Sequence, residues 1–523
     1  MKQKYLNIFS TFLRYVLLGS AVLFLLVCIV IAGKRLNYPF ELEWVEGNLV
    51  HQVERILSGK QIYVEPSIDF TAQLYAPLYF YISAMVAKVL GIGFLPLRLV
   101  SFLSSLGCFA LIFQFVRRET KSIFYGVLSA GLFAATFRIN GGYFDIGKVD
   151  MLFMLLTLAS IYFLRFRQDF RSVVFAAVLI SLAFLTKQTA FVIAIALSIY
   201  CFFAYDRWRR YLFFLTFLLL AGISTAILNW VSEGWYYYYL FELPTQHPIA
   251  KGMFLGFWRD DVIAALPIAM GISLAYLGYQ FTHNKKGDFI FFGLLFTSMI
   301  GASWLSRMHS GGWLNVLLPA YSVIAIFFGL GLHWLLSERL NGSPNSGLDA
   351  SGKNDRIPAK RKYIKLAVLT LCISQFLFLS YKPGAYLPTH ADEVAANSYV
   401  SLLRELDGDI FMAEPAFFPT LAGKKTFSDG SAMPDILRSS SEEQKKNLEA
   451  DFKKAICEGR FDVIIAGKGW FRLFEDSSGL VKEIDKRYVD TGSVYTHKSI
   501  FYYAKTGNIA PGVRLYRLRD GRN

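Results

Sequence analysis

Three glutamates, Glu41, Glu43 and Glu46, stand in the stretch ELEWVEG directly after the first long apolar run of the chain. A carboxylate at membrane depth costs about 2.5 to 3.5 kcal/mol to insert, so an acidic cluster beside lipid calls for cations, water or a substrate hydroxyl as company. Its chemistry is that of a general base, or of a ligand set for a hard divalent cation. Further polar residues fall between later apolar runs. NGGYFDIGKVD carries Asp145, Lys148 and Asp150, TKQTA carries Lys187 and Gln188, and the long stretch 232–261 carries Arg259. SRMHSGGWLN carries Arg307, His309 and Asn315, with a glycine pair that lets backbone approach a ligand closely.

Each of these residues has a plainer reading beside the chemical one. Asp150 suits a helix N-cap. Lys187 ends the apolar run AAVLISLAFLT, where a lysine either snorkels or binds phosphate. A lone histidine such as His309 is more often structural than a ligand. The aromatic run Trp235 to Tyr239 reads first as an interface belt and second as a sugar-stacking surface.

The elements that must position these residues are membrane helices. Of 523 residues, 54% are hydrophobic, more apolar surface than a soluble domain buries, and the long apolar runs recur along the chain. Runs centred near 22, 106, 130, 158, 180, 198, 220, 271, 297, 325 and 372 give about eleven spans. The stretch 73–91, QLYAPLYFYISAMVAKVLG, decides the side of every later loop. Placed flat in the outer interface, with Pro77, three tyrosines and Lys88, it leaves the basic loops RRETK, RFRQDFR, DRWRR and NKK in the cytoplasm, as the positive-inside rule requires. The N-terminus is then cytoplasmic, the acidic loop and its companions face outward, and the net charge of +15 is an orientation signal. Nucleic-acid motifs are lacking, and five cysteines without a CxxC pair argue against thiolate chemistry.

The predicted organisation is a transmembrane catalytic domain over 1–336, a flexible cytoplasmic linker over 337–362, a last span at 363–381 and a soluble extracytoplasmic α/β domain over 382–523. In that last domain DIFMAE and FDVIIAG read as buried strands, 391–406 and 440–457 as helices, and VRLYRL as an edge or hairpin strand. Its expected role is to cap the site or hold an acceptor, with a purely structural role as the equal alternative.

The order of the acidic loop, the interfacial helix with YAPLYFY, the stretch Arg98 to Ser101, then x-K-V-D and L-T-K-Q resembles the bacterial membrane glycosyltransferases of the GT-C fold. That group is related to protein O-mannosyltransferases and lipid A aminoarabinose transferases, and the similarity covers about residues 10 to 340. The resemblance implies a polytopic α-helical protein of the bacterial cytoplasmic membrane. It would move a sugar from a polyprenyl-phosphate donor to a hydroxyl of an extracytoplasmic acceptor, with inversion. The family pattern has an Asp-Glu pair in its first outer loop, where this chain has only glutamates, so Glu43 and Glu46 both align as the base. By the same resemblance Asp150 matches the second outer acid and Lys187 the lysine at the end of a later span. Glu41, Asp145, Lys148, Gln188, Arg259, Arg307, His309 and Asn315 complete the expected substrate-binding set. The family's Lys-Pro-Pro-Leu entry to the interfacial helix is replaced here by Tyr75, Ala76, Pro77 and Leu78; Arg98, Arg138, Arg259 and Arg307 are candidates for the lost phosphate contact. A divalent cation on Glu43, Glu46 and Asp150 is left open. A lipid-linked sugar flippase or a diphosphate-linked glycan ligase are the alternative functions.

Overall fold

The computed structural model describes residues 2–167, 169–283, 286–339, 359–440, 442–467, 470–474, 479–494, 505–506 and 513–519. Long apolar runs can satisfy their backbone in lipid only by hydrogen bonding to themselves, and here they fold as helices. In chain order these are α1 (Lys2–Arg35), α2 (Glu46–Leu57), α3 (Leu78–Leu90), α4 (Phe94–Thr120), α5 (Ile123–Ala135), α6 (Asp150–Phe166), α7 (Phe170–Phe184), α8 (Ala190–Ala204) and α9 (Arg209–Val231). Three short helices, α10 (Trp235–Tyr237), α11 (Leu243–Thr245) and α12 (Met253–Gly256), interleave with π-helical turns before α13 (Pro267–His283), α14 (Lys286–Met308), α15 (Leu318–His333) and α16 (Ala359–Phe378).

Every apolar run singled out in the sequence lies on one of these helices, but not all are long. Among the described residues five helices are long and apolar enough to cross a bilayer alone, and up to seven spans result if each of two bent helix pairs counts as one. The runs near 130, 158, 180 and 198 form helices of 13, 17, 15 and 15 residues. The stretch at 73–91 becomes α3, with 13 residues. At 1.5 Å per residue α3 is about 20 Å long, short of the roughly 30 Å hydrocarbon core, so it does not span alone.

Helix α15 is the centre of the bundle: each residue from Leu318 to Leu332 is buried. A helix apolar all round belongs in a core, and α15 packs on α13, α5, α14 and α4. Gly329 is where α15 meets α5, and a Cβ there would overlap the Ser129 hydroxyl. The chain crosses from α5 to α6 through residues 136–149, and from α7 to α8 through 185–189. Those two loops carry Asp145, Lys148 and Lys187.

Beyond α16 the chain forms α17 (His390–Glu405), β1 (Ile410–Met412), α18 (Phe418–Leu421), α19 (Met433–Leu437), α20 (Glu442–Cys457), β2 (Val463–Gly467), α21 (Leu480–Arg487), β3 (Tyr488–Ser493) and β4 (Val513–Leu518). The sheet order is β1-β2-β4-β3, with β1 parallel to β2 and the other pairs antiparallel. VRLYRL is therefore a strand but an interior one; β3 takes the edge, because Tyr488–Ser493 pairs with β4 alone. Side chains alternate across the sheet. Ile410, Met412, Val463, Ile465, Val513 and Leu515 join one apolar core with Phe40, Leu42 and Tyr143. Phe411, Ile464 and Tyr516 join another with Leu49, Val50 and Val53 of α2. The C-terminal domain thus shares both of its cores with the acidic loop and the helix after it. The linker expected over 337–362 falls largely at 340–358, outside the described residues.

Candidate active site

Four buried carboxylates of the helical domain each meet their own cation. Glu46 opens α2, and Arg98 in the first turns of α4 reaches it through Nε at 3.0 Å and a terminal nitrogen at 2.7 Å. Gly147 N and Leu42 N add bonds of 2.7 Å each, so both oxygens of Glu46 receive two donors. Burial pushes this carboxyl up, but Arg98 and the two amides outweigh it and hold Glu46 below the usual carboxylate range. Arg98 is equally committed, donating also to the carbonyls of Arg35, Tyr38 and Phe40. The pair is a bidentate, charge-assisted clamp that fixes the fold of the acidic loop.

Glu43 is held more loosely. Its Oε2 accepts from Val45 N at 2.8 Å, while Oε1 has only Tyr143 OH at 3.2 Å and Lys148 Nζ at 3.4 Å. Burial raises its pKa although Lys148 opposes the shift. A carboxylate with long contacts and raised proton affinity is the better base of the two. Glu41 is different again: it accepts from Phe417 N at 2.7 Å, and its Oε2 is buried without a hydrogen-bond partner among the described residues. Asp145 lies 3.1 Å from Arg35 Nε without hydrogen-bonding geometry, an ion pair only.

Asp150 is the first residue of α6, and the N-cap position belongs to Val149, so the capping reading does not hold. Its carboxylate is instead met by Lys187 Nζ at 2.6 Å and by Asn315 Nδ2 at 3.0 Å to each oxygen. Lys187 does not snorkel; it turns inward and is 8% exposed. Lys187, Gln188, His309 and Asn315 line a cavity of about 340 Å³ with Gln73, Tyr75, Thr189, Pro244, Ser306, the Gly311–Gly312 pair and Asp435. That volume is within the range of small-molecule sites. Tyr75 on the cavity wall feels the charges of Lys148, Asp150 and Glu43, so it lies near members of both acid–cation pairs.

Other expected site residues lie elsewhere. Arg259 is 81% exposed and pairs with its neighbour Asp260, and Arg307 is tied to Asp261 at 2.8 Å and to Gly312 O. Arg138 donates to Phe378 O. None of these arginines, nor Arg98, lines the cavity. The trio Glu43, Glu46 and Asp150 is divided among Lys148, Arg98 and Lys187, and no group of three or more His, Cys, Asp or Glu arranged for a metal ion occurs among the described residues.

Residues 75–231, from the cavity wall through α9, match the family model of dolichyl-phosphate-mannose-protein mannosyltransferases. By sequence no curated protein matches. By structure, the aminoarabinose transferase ArnT from Cupriavidus metallidurans, bound to undecaprenyl phosphate, superposes with a TM-score of 0.59 at 14% identity over 97% of this chain and 99% of ArnT. The oligosaccharyltransferase of Archaeoglobus fulgidus, tethered to an acceptor peptide, superposes with a TM-score of 0.51 at 12% identity over 90% of this chain and 72% of that one. The chain has the GT-C fold.

In this GT-C chain the C-terminal domain is part of the site. Ser431 Oγ accepts from Gln73 at 2.8 Å, Thr71 accepts from Ser428 at 2.7 Å, and Asp429 bonds Asn48 of α2. Gly47 is required at this seam, since a Cβ there would overlap Glu41 Oε1 and stand 2.8 Å from Phe417 N. Sequence reading passed over Asp435, Asp429 and Glu414, because no local pattern marks a carboxylate brought to the site from hundreds of residues away. A capping box of Thr389 and Asp392 starts α17 and carries no chemistry.

Burial, with Asp429 and Glu43 nearby, pushes the Glu414 carboxyl up to about 8. A folded-state pKa raised above the unfolded one means that folding takes up a proton, so the contribution is full below the unfolded pKa and is lost as pH rises through the folded one. The seam between the C-terminal domain and the acidic loop should therefore loosen as pH climbs from about 4.5 to about 8. Limited proteolysis of the C-terminal domain across that range checks this. Glu414→Gln should flatten the dependence.

Proposed function

We propose that this protein is a membrane glycosyltransferase that takes a sugar from a polyprenyl-phosphate donor and passes it to a hydroxyl of an extracytoplasmic acceptor. The observation that carries the reading is the cavity wall where Lys187, held by Asp150, whose carboxylate also accepts from Asn315, stands with Gln188 in a fold shared with an enzyme bound to undecaprenyl phosphate. The archaeal relative is likewise recorded with a dolichol phosphate. Lys187 is the cation that would receive the donor phosphate and neutralise charge as it departs.

In the proposed step the acceptor oxygen attacks the anomeric carbon, the bond from that carbon to the phosphate oxygen breaks, and polyprenyl phosphate leaves with the electron pair. Glu43 takes the acceptor proton, and Lys148 at 3.4 Å favours the ionised form that can do so. Attack opposite the leaving group inverts the sugar carbon. Glu46 has the separate task of holding ELEWVEG in place. Charge bias supports the sidedness of this reading, with the N-terminus in the cytoplasm and the cavity and C-terminal domain outside; the bacterial inner membrane is what the family resemblance implies.

Binding of undecaprenyl phosphate to the full chain in lipid nanodiscs tests the phosphate site. Lys187→Ala should weaken it by about ten- to a hundredfold, as expected for a lost charge-assisted bond. Equal binding in the variant would remove Lys187 from the donor site, and no binding to the unaltered protein would sink the reading.

A further inference from the structure

Among the described residues, Asp435 is the one residue of the C-terminal domain on the wall of the cavity that holds Lys187, and nothing in the proposed reaction uses it. It sits on α19, and its position is fixed by a chain of neutral groups. Gly311 N donates to His309 Nδ1 at 3.1 Å, which places the His309 proton on Nε2. That nitrogen faces His247 Nδ1 at 3.1 Å and the Pro244 carbonyl at 3.2 Å. His247 then carries its proton on Nε2 and donates to the Asp435 carbonyl at 2.6 Å. Burial holds both imidazoles below their usual pKa, which keeps the chain in this one arrangement.

The side chain is half committed. Oδ1 accepts from Arg438 at 2.8 Å, and the other oxygen has no hydrogen bond among the described residues, while the side chain is 15% exposed. A carboxylate repels a phosphate but accepts strongly from a hydroxyl or an amino group. Within about 340 Å³, a donor whose phosphate sits on Lys187 has its sugar in the same enclosure as this oxygen.

We propose that Asp435 Oδ2 accepts a hydrogen bond from a hydroxyl or amino group of the donor's sugar, making the C-terminal domain a determinant of which sugar is transferred. The proposal rests on the polyprenyl-phosphate reading, and its test separates the two. Affinities are measured for undecaprenyl phosphate alone and for undecaprenyl phosphate bearing mannose, glucose, galactose or 4-amino-arabinose, with the full chain in nanodiscs. Asp435→Asn keeps the shape, and Asp435→Glu keeps the charge but moves the oxygen; the bare-lipid affinity reports whether each variant is folded.

At least one sugar-bearing lipid should bind the unaltered protein more tightly than the bare lipid. Both variants should retain bare-lipid binding and lose about ten- to a hundredfold toward that sugar-bearing lipid. Unchanged sugar discrimination in either variant overturns the proposal, as does loss of bare-lipid binding in both. A variant that slows transfer without altering donor affinity also overturns it, since that places Asp435 on the acceptor. Failure of the unaltered protein to bind the bare lipid would instead fell the polyprenyl-phosphate reading itself.

Discussion

Glu43→Gln is expected to lower the single-turnover rate of sugar transfer by about a hundred- to ten-thousandfold, the contribution of a positioned general base. Donor affinity should be nearly unchanged, because Glu43 is not among the residues lining the Lys187 cavity. The amide keeps the size of the side chain and its bond from Val45 N, so the protein should fold. What is lost is the proton acceptor. The raised pKa of Glu43 adds a second signature. A base must be ionised to act, so the acid limb of the rate profile should lie above the ordinary carboxylate range and be absent from the residual rate of the variant. Rapid-quench measurement of product against pH checks both; full activity in Glu43→Gln would remove it as the base.

Glu46→Gln should fail for a different reason, with a stability loss of about 3 to 5 kcal/mol, the range for breaking a buried ion pair by removing one partner. Arg98 is 0% exposed, and with Glu46 neutral its positive charge loses its bidentate carboxylate and keeps three backbone carbonyls and the face of Phe94 at 4.8 Å. The Gly147 and Leu42 amides each lose a charged acceptor as well. Thermal unfolding in detergent should show a large fall for Glu46→Gln and a small one for Glu43→Gln. The double variant Glu46→Gln, Arg98→Met removes both charges and should recover part of the loss. An unchanged melting temperature in Glu46→Gln would return it to consideration as the base.

The contrast between these two glutamates shows where sequence reading stops. Glu43 and Glu46 are three residues apart in one acidic loop and align equally well with a catalytic position, because a sequence records the carboxylates and not their donors. Only the fold brings Arg98 to Glu46 and Lys148 to Glu43. Lys187 and Asp150 were legible as polar interruptions at the ends of apolar runs, and the structure joins them at 2.6 Å. The strands over DIFMAE and FDVIIAG were legible because both faces are buried, which gives continuous apolar runs. VRLYRL shows alternation, but its interior place in the sheet depends on β2 and β3 flanking it, a long-range pairing that alternation does not encode. Arg259 and Arg307, expected at the phosphate, are paired with Asp260 and Asp261 and do not line the Lys187 cavity. Asp435 left no local trace at all, since its place in the site depends on the C-terminal domain folding back onto the acidic loop.

Release of free undecaprenyl phosphate is the most direct test. Purified protein in lipid is given undecaprenyl-phosphate-linked sugars, with a membrane extract as the acceptor source. The account predicts that at least one donor is consumed, with free undecaprenyl phosphate and a glycosylated acceptor appearing in equal amounts. No release from any donor, while a known polyprenyl-phosphate-dependent transferase is active in the same extract, would contradict it.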